Sequence, residues 1–104
     1  MERSTPKISV VVRTCQRPEV LRTALDSLLK QTFHDFEVVV VEDGVPTAQK
    51  MLEEEYSTLN YRYAASGKKT GRSCVGNMGL AMARGKYINF LDDDDAFLPN
   101  HLKT

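Results

Sequence analysis

Short apolar runs punctuate this chain, and the segments between them carry helical or turn patterns. Ile8-Ser9-Val10-Val11-Val12 is short and mostly β-branched, which predicts a buried strand. Arg13 to Arg17 is polar and reads as a loop, and Pro18 suits the first turn of a helix. Val20, Leu21, Ala24, Leu25, Leu28 and Leu29 then recur with helical spacing, one apolar stripe on a helix ending near Gln31. Phe36 to Val41 predicts a second strand, apolar enough to be covered on both faces as parallel strands are. Thr47 to Tyr56 predicts a second helix, and the alternating run Leu59 to Ala64 a third, more exposed strand. A helix from Arg72 to Arg84 is expected to stop at Gly85, read as a left-handed C-terminal cap. Tyr87 to Leu91 is the fourth strand, and Pro99 to Thr104 has the start of another helix.

Strands alternating with helices imply an α/β fold: a Rossmann-like parallel sheet with flanking helices and right-handed crossovers. In such sheets ligands bind beyond the carboxyl ends of the strands. Those ends carry Arg13-Thr14, Glu42-Asp43 and the four consecutive aspartates Asp92 to Asp95. Crowded carboxylates resist ionising together unless water or a cation separates them. Alone, the run reads as a solvated turn; three polar clusters on one edge favour a metal-assisted phosphate site instead. Asp92 and Asp94 point the same way in an extended chain, and paired oxygen donors suit Mg²⁺ or Mn²⁺. Asp43 is either a turn former before Gly44 or an acceptor for a base N–H or ribose hydroxyl. Glu42 is the weaker candidate, because alternation turns it elsewhere. Lys68, Lys69 and Arg72 form a basic knot that is either a solvated loop or a steering group for an anion. The helix starting near Arg72 offers N–H groups to phosphate.

Composition narrows the class. The 104 residues make one domain, with a polar tail over 1–7 and the folded part over 8–104. Lys plus Arg equals Asp plus Glu at 14 each, so nothing favours nucleic acid as a partner. Cys15 and Cys74 are too few for a disulfide scaffold or a zinc site, and His34 and His101 stand isolated. The N-terminus lacks the apolar core of a signal peptide, and no apolar run nears the roughly 20 residues of a membrane span. The expectation is a soluble cytoplasmic protein. No G-x-G-x-x-G follows the first strand, Gly67-Lys68-Lys69-Thr70 lacks the Walker A order, and the aspartates lack EF-hand spacing.

Several blocks resemble one family together: Ser9 to Pro18, Gln31-Thr32-Phe33, Val39 to Gly44, and Gly76 to Asp95. Their order and spacing over residues 8 to 100 are similar to the N-terminal half of family-2, GT-A-type inverting glycosyltransferases. The resemblance implies a nucleotide-diphospho-sugar donor, often UDP-linked, and transfer with inversion to an acceptor that the sequence does not identify. It maps the family's Asp-x-Asp motif to Asp92-Asp93-Asp94, with Asp94 and Asp92 toward the metal and Asp92 and Asp93 toward ribose or sugar. Asp43 would contact the base, and Arg13 and Thr14 would line the same pocket. Three departures stand out. Arg13-Thr14-Cys15-Gln16 replaces the common Pro-Thr-Tyr-Asn, and Glu42 replaces an Asp. Gly76 replaces an arginine of the third helix, so a basic group there is either missing or supplied by Arg72.

Members of the family run to about twice this length, and their acceptor-binding half carries the catalytic base. The expectation is therefore a chain truncated before that half, able to hold a donor but poor at turnover. With the sheet cut short, the fourth strand becomes a bare edge that favours homo-oligomers. Two other readings stay open: a binding or assembly module without turnover, and a nucleotidyltransferase of similar topology, which the absent glycine-rich loop disfavours.

Overall fold

A computed structural model of the chain describes residues 6–32, 35–68 and 72–93, with residues 72–74 described by backbone alone. The elements are β1 (Ile8–Thr14), α1 (Pro18–Leu29), β2 (Phe36–Glu42), α2 (Gln49–Glu55), β3 (Tyr61–Ala65), α3 (Arg72–Met82) and β4 (Tyr87–Asp92). They form one four-stranded sheet of order β3-β2-β1-β4, parallel at every pairing. The α/β class and the parallel sheet are as expected. Bounds differ by a few residues: α2 is shorter than 47–56, β3 starts at Tyr61, and α3 stops at Met82 rather than Arg84.

The valine runs explain why β1 and β2 lie inside. Val10, Val12, Val38 and Val40 pack with Leu21, Leu25 and Leu28 of α1 and Leu52 of α2. Val11, Val39 and Val41 face the other way, onto Val75 of α3. Alternation therefore buries both faces, and each such side chain contributes roughly 1.5–3 kcal/mol. Helix α3 runs antiparallel to β1, with Gly79 against Val11 and Gly76 against Arg13. Its first turn thereby sits at the carboxyl edge of the sheet.

Gly85 is a correction. It does not take the left-handed conformation; among the described glycines only Gly44 and Gly67 have positive φ. A Cβ on Gly85 would lie 2.5 Å from the Ser9 amide nitrogen and 2.6 Å from the Ile8 carbonyl carbon. Glycine is needed there because the chain entering β4 passes against the backbone of β1.

β2 is covered on both faces as expected, and one of those faces also takes in a charge. Glu37 is buried on the α3 side, where Ser9 Oγ donates to it at 2.6 Å and the Arg84 amide at 2.7 Å. Arg62 Nη2 from β3 reaches the same carboxylate at 3.2 Å and also donates to the Met82 carbonyl. The Gly85 amide donates to Ser9 Oγ at 2.6 Å. One buried carboxylate thus ties β1, β2 and β3 to the turn between α3 and β4. Burial pushes its pKa up, but the bonds from Ser9 and the Arg84 amide and the Arg62 charge outweigh burial and hold it low.

β4 has β1 as its one strand partner among the described residues, and it exposes Tyr87, Ile88 and Phe90. The Tyr87 amide donates to the Lys7 carbonyl, so the amides of Ile88 and Phe90 face away from the sheet. An antiparallel second β4 centred on Asn89 sets Tyr87 opposite Leu91, Ile88 opposite Phe90 and Lys86 opposite Asp92. Those are two apolar pairs and one of opposite charge.

Two outcomes are expected. Because the folded pKa of Glu37 lies below its ordinary value near 4.5, its contribution is complete above that pH and is lost as pH falls through the folded value. Glu37→Gln should lower stability at neutral pH by about 2 kcal/mol and flatten the acid limb in urea unfolding. In sedimentation equilibrium the chain should show a monomer–dimer equilibrium that Phe90→Lys abolishes. A wild-type chain that stays monomeric at the highest concentrations would exclude β4 pairing.

Candidate functional site

Parallel registration brings the strand ends level: Thr14 lies opposite Glu42, and Arg13 opposite Asp92. The Asp43 amide donates to the Thr14 carbonyl at 2.8 Å, carrying the β1–β2 ladder one residue past the strand. Glu42, Asp43 and Asp93 are all buried at this edge. A buried carboxylate is costly unless hydrogen bonds or opposite charges meet it. The polar segment from Arg13 to Arg17 meets Glu42, Asp92 and Asp93.

Arg13 Nη2 donates to Asp92 Oδ1 at 3.0 Å, and its guanidinium lies 5.2 Å from the Phe90 ring centroid. Thr14 Oγ1 donates to Asp93 Oδ2 at 2.9 Å, and Arg17 Nη2 to Asp93 Oδ1 at 2.5 Å. Gln16 Nε2 donates to Glu42 at 3.0 Å and to the Val45 carbonyl at 2.7 Å. Gln16 adopts φ 55°, and its amide lies against Gly44, which has φ 124°. These contacts join the loop after β1 to the loop after β2.

Glu42 has further partners in the Ala48 amide at 3.0 Å and the hydroxyls of Thr47 and Tyr63. Burial and the neighbouring carboxylate hold the Tyr63 phenol well above its ordinary pKa. Glu42 therefore faces inward, as alternation suggested, and its work is to fasten α2 and β3 to the strand end.

Of the predicted site residues, Arg13, Thr14, Asp43, Asp92 and Asp93 are brought to one edge. The backbone of Arg72 begins α3 at that edge. The Arg72 side chain and the whole of Asp94, Asp95 and Lys69 lie outside the described residues, as do His34, His101 and the segment from Pro99. Gln16 and Arg17 were not among the predicted residues. The polar run before Pro18 was their only signal, and linear order does not say which acids they would meet.

Asp93 spends one oxygen on Thr14 and the other on Arg17. Asp92 keeps a side chain 32% exposed beside Arg13. Among the described residues no three His, Cys, Asp or Glu side chains cluster as a metal site.

Removing Arg17 would leave Asp93 buried with its charge half unmet. Arg17→Ala is expected to cost about 3 kcal/mol in urea unfolding. Adding Asp93→Asn should recover part of that loss; no recovery would mean the pair does not carry the stability.

Residues 9–104 match the family model described as glycosyl transferase family 2. The chain is 33% identical over 99 residues to glycosyltransferase GlyA of Streptococcus pneumoniae, covering 94% of this chain and 14% of that protein. It is 34% identical over 99 residues to the amylovoran biosynthesis glycosyltransferase AmsB of Erwinia amylovora, covering 91% and 33%. The solved structure of S. aureus TarS 1-349 in complex with UDP-GlcNAc superposes with a TM-score of 0.85 at 32% identity, covering 93% of this chain and 29% of that one. TarS 1-349 has also been solved in complex with UDP. The chain spans at most about a third of the length of these relatives, less than the half expected from the resemblance. No helix among the described residues is long and apolar enough to cross a membrane. With the family model covering nearly all of its folded part, the chain belongs to glycosyl transferase family 2.

Proposed function

We propose that this chain is the donor-binding part of a glycosyltransferase, and that a nucleotide-diphospho-sugar, UDP-linked as in the TarS complex, binds at the carboxyl edge of the sheet. The observation that carries this reading is the meeting of Thr14, Asp43, Asp92 and Asp93 on one edge, drawn from three strands. Asp43, the residue after β2, accepts from the base or ribose. Arg13 and Arg72 face the anionic part of the donor. Asp93 ties Arg17, in the loop after β1, to Thr14 at the end of β1, and acts on the nucleotide through that loop.

Asp92 and Asp94 would hold a Mg²⁺ or Mn²⁺ ion, whose chemistry is to neutralise the diphosphate as it leaves. In transfer with inversion an acceptor hydroxyl oxygen bonds to the anomeric carbon from the face opposite the diphosphate. The bond to the diphosphate oxygen breaks, and a base takes the hydroxyl proton. The residues gathered here hold and orient the donor, and none is given the proton.

Calorimetric titration with UDP, GDP and ADP, with and without Mn²⁺, tests the reading. One nucleoside diphosphate should bind, more tightly with Mn²⁺, and Asp43→Ala should weaken it about tenfold or more. Absence of binding to all three in the presence of Mn²⁺ would leave a docking module as the better account. A preference for a nucleoside triphosphate would point to nucleotidyl transfer.

A further inference from the structure

Among the described residues, positive φ occurs at Gln16 (55°), Gly44 (124°) and Gly67 (85°). These residues lie in the loops that follow β1, β2 and β3, and the loops are joined at them. A Cβ built on Gly44 would lie 2.8 Å from Gln16 Nε2 and 2.9 Å from Gln16 Cδ, so the Gln16 amide rests on bare glycine backbone. The Gly67 amide donates to the Gly44 carbonyl at 2.8 Å. The Gly44 amide donates to Ser66 Oγ at 2.9 Å, and Ser66 Oγ donates to the Lys68 carbonyl at 2.6 Å. A residue with a side chain costs conformational energy at positive φ, and it persists where its surroundings fix it, often beside a ligand.

The backbone from Asp43 to Val45 is held along its length. The Asp43 amide donates to the Thr14 carbonyl, and both polar groups of the Gly44 backbone are met from the loop after β3. The Val45 carbonyl accepts from Gln16 Nε2 at 2.7 Å and from the Thr47 amide at 2.8 Å. Gln16 Nε2 faces two acceptors, that carbonyl and the Glu42 carboxylate, which only the paired N–H donors of an amide satisfy. The burial of Glu42 does not account for Gln16. Glu42 also accepts from the Ala48 amide and from the hydroxyls of Thr47 and Tyr63, and Gln16 itself is exposed. What Gln16 adds is a tie between the loops after β1 and β2, beside Asp43.

We propose that Gln16 is a positioning residue for nucleoside recognition. Its amide holds the backbone from Asp43 to Val45 in one shape before a ligand arrives, and that shape sets where Asp43 meets the base or ribose. A loop already ordered in the free protein adds no ordering cost to binding. Gly44 is the other half of the device, because any side chain there displaces the amide and breaks both of its bonds. The inference rests on the donor-binding reading for its ligand, while the contact between Gln16 and Gly44 stands on the ligand-free geometry.

Five forms of the 104-residue chain test it: wild type, Gln16→Ala, Gln16→Glu, Gly44→Ala, and the double variant of the two alanines. Each is titrated with UDP, GDP and ADP, with and without Mn²⁺, well below its Tm, and each is melted without nucleotide. Gln16→Ala should raise Kd for the nucleotide that wild type binds about fivefold, at unchanged stoichiometry. Gln16→Glu keeps the length but sets a carboxylate against a carboxylate and a carbonyl, and should raise Kd about tenfold or more. In both, Mn²⁺ should tighten binding by the same factor as in wild type, because the metal acts at the diphosphate. Gly44→Ala should raise Kd at least as much as Gln16→Ala. The double variant should stay within about twofold of Gly44→Ala, and its loss of Tm should fall short of the sum of the single losses.

Kd unchanged in both Gln16 variants, or weaker binding that appears only as lower stoichiometry, overturns the positioning role. Loss of the Mn²⁺ effect along with affinity overturns it too, since the whole site and not its nucleoside end has then failed. Effects of the two alanines that multiply in Kd and add in Tm overturn the contact with Gly44, even where wild-type binding upholds the donor-binding reading. If wild type binds none of the three nucleotides, that reading fails and the nucleoside role with it, while the melts still decide the contact.

Discussion

Four acids end up at one edge because β1 pairs in parallel with β2 on one side and β4 on the other. With only β1 between them, the ends of β2 and β4 bring Glu42, Asp43, Asp92 and Asp93 together, so the fold concentrates negative charge where its strands stop. The segment Arg13 to Arg17 is the chain's answer. It leaves the central strand and supplies a guanidinium to Asp92, a hydroxyl and a guanidinium to Asp93, and an amide to Glu42. A buried carboxylate without such partners would cost several kcal/mol. The loop after β1 is thus as much a condition of folding as a place for ligand.

The pairings also divide the acids by task. Glu42 has every oxygen turned to amides and hydroxyls of the fold, so it is closed to ligand. Asp93 is buried between Thr14 and Arg17 and shapes the loop. Asp92, paired with Arg13, is more exposed than Asp93, the other described acid at the end of β4. Glu37 repeats the principle at the other end of α3, where no ligand is involved. There a carboxylate inside the sheet fixes the turn that starts β4, and so fixes where the aspartates emerge.

Much of the architecture was legible in the linear pattern. Valine runs of strand length, one helical stripe from Val20 to Leu29 and the alternation of the two periods were enough for a parallel α/β sheet, since burying both faces of such strands leaves few alternatives. The rule that ligands gather beyond parallel strand ends then picked out Arg13, Thr14, Asp43, Asp92 and Asp93 together. What failed were inferences from single residues. Gly85 followed a helix and was read as its cap, yet its lack of a side chain serves a close approach to β1, more than seventy positions away. Glu37 sat inside an apolar run, and its polarity made sense only once Ser9 and Arg62 were beside it.

The sequence by itself determined the order of elements, the face each strand buries and the edge where charge collects, because these follow from local period and connectivity. Only the tertiary structure decided which cation meets which acid. It also decided that Glu42 is closed while Asp92 is partly exposed, and that Arg13 lies against Gly76. Those outcomes depend on side chains meeting across strands and helices at distances of a few ångströms, and partners as distant in sequence as Thr14 and Asp93 carry no mark of one another in linear order.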